Sequence, residues 1–285
     1  MDIVKYDHTA PDELKIPMTS AHDGLFQKVT EDVYCLTVDI VNVCMIGDPN
    51  QPFGWVLVDT GMPGKAKEIL TALEENFGKA HPAKFIVLTH GHFDHVGAAH
   101  DLAELWSVPI YAHEEELPYV TGQKSYPEPD SSVEGGMVAK LSKTFPNDPI
   151  QLDDYVQPLP ANLAVPGGEN EWTWIDVPGH SPGQIALFRE KDGALLSADA
   201  VITVKQDSLY KVLTQEQEIQ GPPRYFTMDW KEAKASAKKL QELKPHFLVP
   251  GHGLPMFGEE LEEGLHMLVE KFDELAKPDH GKYVN

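Results

Sequence analysis

Arginine is almost missing from this sequence. Arg189 and Arg224 are the only two, which excludes a phosphate clamp built from several guanidinium groups. Basic charge is scarce altogether. The 23 Lys and Arg residues stand against 45 Asp and Glu, for a net charge of −22 over 285 residues. A nucleic-acid binder needs a basic face, so no nucleic-acid partner is expected. Cysteine is equally thin: Cys35 and Cys44 cannot make a disulfide scaffold. They read as small buried apolar residues that face each other across a hairpin and stay reduced. No run of about 18 apolar residues occurs, so no membrane-spanning helix is expected. Met1 to Thr9 carries no apolar stretch of the kind a secretory signal needs, and the expected location is cytoplasmic.

What is present is an alternation of strands and helices. Residues 1–24 mix charge with Pro11, Pro17 and Gly24 and read as an irregular lead-in. Val33–Val38, Ile40–Ile46 and Trp55–Val58 are rich in β-branched and apolar residues and predict strands. Ala66, Ile69, Leu70, Leu73 and Phe77 repeat at helical spacing, with Pro63 suited to the start and Gly78 to the stop. The unit recurs as a strand at Phe85–Leu88, a helix over Val96–Trp106 and a strand at Val108–Tyr111. Residues 114–170 break the rhythm with eight prolines and only a short helical stretch, Met137–Phe145. Such a length suggests a functional lid or wall rather than a linker. Strands then follow at 172–177, 185–188, 194–197 and 247–249. Asp229 with Glu232 fits a helix-capping box, and a last helix spans about 259–276. Strand–helix alternation with short connections predicts an α/β fold.

The strongest chemical signal is Thr89-His90-Gly91-His92-Phe93-Asp94-His95. A helix would scatter His90 and His92 to different sides. A tight loop after a strand gathers all four potential ligands, and imidazole and carboxylate suit zinc. Other candidates also follow apolar runs: His180 in Pro178-Gly-His-Ser-Pro-Gly183, Asp199 after Leu196-Ser-Ala, and His252 in Pro250-Gly-His-Gly253. A short rhyme links Phe85–His90 with Phe247–His252, each an apolar strand, a tight turn and a histidine. Two similar halves facing each other would bring both histidines to one edge. The other eight histidines read as surface or packing residues. Asp59, in Asp59-Thr-Gly61, is either a solvated turn residue or a partner of the cluster.

The ordered set His-x-His-x-Asp-His, His, Asp, His, with Asp59-Thr-Gly61 and the two Pro-Gly-His turns, resembles the metallo-β-lactamase superfamily over about residues 30–257. The resemblance implies a single domain over residues 1–285, a four-layer αβ/βα sandwich with the 114–170 segment as a lid-like insertion. It implies a two-metal site in which His90, His92 and His180 hold one ion, Asp94, His95 and His252 the other, and Asp199 bridges. Asp59 would orient a ligand histidine. Zinc β-lactamases use a Cys in the second site; none lies near residue 199, and Asp199 resembles the glyoxalase II and lactonase branches. Ile202 stands where acyl-homoserine lactonases often carry Tyr, and the tail Glu259–Glu274 is acidic where glyoxalase II is basic.

Two divalent ions, zinc first, with iron or manganese as alternatives, would generate a bridging hydroxide near neutral pH. The expected activity is hydrolysis of a small ester, thioester or lactone, with Asp94 accepting and returning a proton. A small phosphodiester is the alternative, then iron-dependent redox chemistry on the same fold, then a non-catalytic metal site with a closed shell. A small-molecule substrate is the expected partner, and the sequence leaves the oligomeric state open, a homodimer included. Tyr119, Tyr126, Phe145 and Tyr155 are the pocket candidates, because long loops often carry binding. Tyr210, Tyr225 and Phe226 read as core packing.

Overall fold

Alternating burial along the strands sets the layering. The computed structural model describes residues 20–134, 136–145, 150–152, 154–162, 164–165, 171–205, 209–214 and 216–284; the expected lead-in lies mostly outside them. Strands β1 (Phe26–Lys28), β2 (Val33–Val38), β3 (Val41–Gly47), β4 (Trp55–Val58), β5 (Ile86–Val87), β6 (Ile110–Ala112) and β7 (Val156–Pro158) form one sheet in sequence order. Pairing is antiparallel from β1 to β4 and parallel from β4 to β7. A second sheet is built from β8 (Trp172–Asp176), β9 (Ile185–Arg189) and β10 (Ala194–Ala198). Strands β11 (Ile202–Val204) and β12 (Gln217–Gln220) pair apart from it, while β13 (Phe247–Pro250) and β14 (Met256–Phe257) complete it, in the order β14-β13-β10-β9-β8.

Successive strand residues point to opposite faces. Cys35, Cys44, Val56, Val58 and Val87 of the first sheet pack against Trp174, Ile185, Leu187, Leu196 and Val249 of the second. Their neighbours Leu36, Val43, Met45, Leu57 and Ile86 turn outward onto Ile69, Leu73 and Leu102 of helices 66–77 and 99–106. Leu195 and Leu248 turn outward onto Ala237, Leu240, Leu261 and Leu265 of helices 230–242 and 258–270. The order helix, sheet, sheet, helix is the expected αβ/βα sandwich. Cys35 and Cys44 are paired across β2 and β3, both buried and free. No helix among the described residues is long and apolar enough to cross a membrane.

Three expectations are corrected. The helix read over Val96–Trp106 is two pieces, Phe93–Val96 and Ala99–Trp106, because the Gly97 N–H turns to the Gly61 carbonyl at 2.9 Å. The last helix, read over 259–276, stops at Glu270 and resumes over Phe272–Leu275. The 114–170 segment is not wholly a lid, since β7 pairs with β6 and extends the first sheet. Its other part packs as a wall: Val133, Ala139 and Phe145 join Ile40, Val41, Met62, Phe93 and Tyr225 in one apolar cluster.

Candidate metal centre

The loops that leave the strand ends converge on one point. Asp59 follows β4, His90 follows β5, and both strands are parallel, so their carboxyl ends open on the same edge. The second sheet contributes His180 from the β8–β9 turn, Asp199 after β10 and His252 after β13. Asp199 is aimed by Ala198, which sits in the left-handed region at φ 48° although it has a side chain. The rhyme between Phe85–His90 and Phe247–His252 is thereby realised across the two sheets.

All seven candidate ligands are buried. Each of the trios His90–His92–His180, His90–His95–Asp199 and Asp94–His95–His252 offers ligand atoms lying within 4.8 Å of one another. Nδ1 of His92 is 2.9 Å from Nε2 of His180. The Asp199 carboxylate stands between the groups, with Oδ2 at 3.4 Å from His180 Nε2 and 3.3 Å from His252 Nε2, and Oδ1 at 3.4 Å from His95 Nε2. His252 Nε2 is also 3.4 Å from Asp94 Oδ2.

The far sides of the rings are held by acceptors. Asp59 Oδ2 lies 2.8 Å from His95 Nδ1, and the Ile40 carbonyl lies 2.9 Å from His252 Nδ1. These acceptors take the Nδ1 proton and turn Nε2 inward, as outer partners of metal-binding histidines do. Asp59 is itself fixed by the Thr89 N–H at 2.8 Å and the Thr89 hydroxyl at 2.7 Å. Of its two sequence readings, the buried partner is the one the structure shows.

Burial and neighbouring imidazoles hold His90 and His92 well below the ordinary histidine range. Burial also drops His180 to about 4, against the opposing pull of Asp199. At His252 burial is outweighed by Asp199 and Asp94, which raise it to about 10. His95 is raised well above its usual value by the same contest, with Asp199, Asp59 and Asp94 winning. Burial works against the charged forms of Asp94 and Asp199, yet His95 and His252 keep both carboxyls below their usual range. The carboxylates are thus ionised and three imidazoles are neutral, the state in which each donates a lone pair.

His90 Nε2 is buried without a hydrogen bond, and His95 Nε2 and Asp199 Oδ1 face each other at 3.4 Å without a well-directed one. Orphaned groups of that kind cost free energy unless something satisfies them. Imidazole nitrogens and carboxylate oxygens converging at this spacing fit divalent cations of the zinc and iron class.

A narrow cleft reaches His92, Asp94, Asp199 and His252. Ile40, Met62, Phe93, Phe145, Pro223, Tyr225 and Phe226 form the rest of its lining. Phe145 is therefore where the sequence suggests. Tyr225 and Phe226 are not simply core residues, because Phe226 stacks on the His92 ring at 4.8 Å and both line the cleft. Tyr126 lies against His92 at 4.4 Å, and Tyr119 stacks behind it at 4.1 Å. Tyr155 packs away from the site, against His100. The side chain of Tyr210 lies outside the described residues. No motif marks Glu116, which is fully buried between the histidine loops. Its one signal is position: it follows β6, the next parallel strand after β4 and β5.

Comparison with known proteins agrees with this geometry. A family model of the metallo-beta-lactamase superfamily matches residues 36–252. The "Probable metallo-hydrolase YflN" of Bacillus subtilis (strain 168) is 44% identical over 260 residues, 91% of this chain and 98% of that protein. Among solved structures, TTHA1623 in a di-iron-bound form is 27% identical with a TM-score of 0.51, covering 76% of this chain and 89% of its own. A beta-lactamase domain protein from Burkholderia ambifaria shares the fold with a TM-score of 0.62 at 20% identity, over 92% of this chain and 79% of its own. The family match takes in most strands of both sheets and all seven converging side chains, and the chain belongs to the metallo-β-lactamase superfamily.

Proposed function

We propose that the protein is a metal-dependent hydrolase of small esters, thioesters or lactones whose acyl part is apolar. The observation that carries this reading is the buried convergence of five imidazoles and two carboxylates, with His90 Nε2, His95 Nε2 and Asp199 Oδ1 lacking a well-directed hydrogen bond. His90, His92 and His180 would hold one divalent ion, Asp94, His95 and His252 a second, and Asp199 would face both. When bound, such ions acidify water to give a nucleophile at neutral pH and polarise the scissile carbonyl.

The chain's own residues supply the rest. Asp94 lines the cleft as an ionised carboxylate, so its free oxygen can take the proton that water loses and pass it to the leaving group. Phe93, Phe145, Tyr225 and Phe226 exclude water from one side of the reacting carbonyl and offer it apolar contact. Among the described lining residues no Lys or Arg is present to meet an anionic substrate.

The test combines metal analysis with a panel of nitrophenyl esters, a thioester, a lactone and bis-nitrophenyl phosphate. Chelator-sensitive, zinc-restored turnover of the carbonyl substrates is expected. His92→Ala and Asp199→Ala should each lower kcat/KM by at least about 100-fold, since the lost stabilisation is several kcal/mol. Near wild-type turnover in either variant contradicts the assignment. A mononuclear iron protein, or turnover of the phosphodiester alone, overturns the proposed reaction.

A further inference from the structure

Glu116 is a carboxylate with no exposed surface, and all the partners seen for it are neutral donors. Oε2 accepts the Gly91 N–H at 2.9 Å and the Tyr126 hydroxyl. Oε1 accepts the Ser181 hydroxyl at 2.9 Å and the Gly183 N–H at 2.7 Å. Gly91 lies between His90 and His92, while Ser181 and Gly183 follow His180. One buried side chain therefore joins the two loops that carry His90, His92 and His180.

The fit is close on both sides. A Cβ at Gly91 would meet the Tyr126 hydroxyl at 2.7 Å and Val120 Cγ1 at 2.8 Å. A Cβ at Gly183 would meet Glu116 Cγ and its backbone N at 3.0 Å each, and His113 Nδ1 at 2.7 Å. The glycines between the paired histidines and after His180 thus leave room for this carboxylate and its partners. Tyr126 completes the link, because its hydroxyl donates to Glu116, accepts from Gly91 at 2.9 Å, and its ring leans on His92. A buried carboxylate is costly unless each lone pair is met. Here the donors come from the segments it holds, so loosening either loop leaves the charge unsatisfied.

We propose that Glu116 is a positioning residue for the His90–His92–His180 site: by gripping Gly91 on one loop and Ser181 and Gly183 on the other, it fixes the three imidazoles at the spacing one metal ion requires. The proposal rests on the metal reading above and goes beyond it by assigning one outer residue to one of the two ion sites. The other trio is aligned differently, through Asp59 and the Ile40 carbonyl, so the two sites should respond separately.

The experiment is a stepwise Co(II) titration of the whole protein, read through the visible d–d bands. His180→Ala and His252→Ala serve to assign the bands of each site. In E116Q an amide N–H must face one of the donors, so the loops are released with little change in shape. E116Q should weaken the His90–His92–His180 site by roughly 10–100-fold and leave the other within threefold. If E116Q does not fold, Ser181→Ala and Tyr126→Phe decide, since each removes one hydroxyl donor and keeps the carboxylate. Weakening confined to the same site supports the clamp; equal weakening of both sites, or none, overturns it. Wild-type protein that takes up no cobalt sinks the metal reading and the clamp with it. Wild-type protein that binds two ions beside an E116Q that matches it at both sites overturns the clamp alone.

Discussion

Asp59 shows how much one side chain does at this site. It lies at φ 59°, a left-handed conformation that Asp tolerates better than most residues, and its two oxygens meet Thr89 and His95. Asp59→Asn keeps the shape but sets an N–H against one of those donors. It should weaken zinc binding at the Asp94–His95–His252 site by roughly 10–100-fold in a chelator competition assay; unchanged affinity would show that His95 needs no such partner. Phe226→Ala should raise KM for long-chain nitrophenyl esters by more than about fivefold while changing kcat on the acetate ester by less than about threefold, because the ring offers contact rather than chemistry. A matching fall in kcat on every ester would instead show that the ring holds His92 in place. The two residues also mark the limit of reading by sequence. The candidate ligands are legible because metal chemistry needs particular residue types at strand ends, and seven such positions form an ordered pattern. Phe226 and Tyr225 are not, since an aromatic ring against a cleft and one in a core leave the same trace in a sequence. Glu116, third in an acidic run, looks like a solvated surface until the loops close over it.

Strands and helices were legible where burial is periodic, and their ends were not. The helix over 66–77 and the capped start at Asp229, which accepts from the Lys231 and Glu232 N–H groups, match their spacing. The break at Gly97 and the edge strand β7 depend on partners distant in sequence, namely Gly61 and β6, which no local pattern reports. One such long-range tie is testable at this scale. Arg189, at the end of β9 in the second sheet, donates to both oxygens of Asp32 at 2.7 Å, just before β2 in the first. It also donates to both oxygens of Asp192 at 2.8 and 3.0 Å and lies 4.7 Å over the Trp172 ring. Arg189→Met should cost about 2 kcal/mol in urea unfolding, the scale of lost charge-assisted hydrogen bonds. Hydrogen bonds from Arg189 hold the Asp32 carboxyl below its usual value, and at Asp192 the same guanidinium overcomes the opposing effect of burial. A carboxyl depressed in the folded state stabilises above its unfolded value of about 3.9, and that contribution is lost as pH falls through the folded value. The gap between wild type and Arg189→Met should therefore be full at pH 6 and shrink at pH 3, with both proteins metal-free. A gap of the same size at pH 3 would exclude these carboxylates as its source.

At the scale of the whole molecule, two electric fields act on an arriving substrate. The net charge of −22 repels anions at long range, while two bound divalent ions would attract them inside the cleft. Range decides between them. The Debye length is about 30 Å at 10 mM salt and about 8 Å at 150 mM. At low salt the charge of the whole surface reaches the approaching molecule; at high salt only groups at the mouth do. The described residues lining the cleft are apolar rings and aliphatic chains beside the candidate ligand side chains, with no Lys or Arg among them to steer an anion inward. A thioester carrying a free carboxylate should therefore show kcat/KM rising by roughly threefold or more between 10 and 150 mM salt, as screening lifts the repulsion. A neutral ester of similar size should change little over the same range. The two substrates measured side by side separate encounter from chemistry, because salt effects on the site itself would move both. If the anionic substrate slows instead as salt rises, attraction by the metal centre controls the approach, and the acidic surface has no part in choosing substrates.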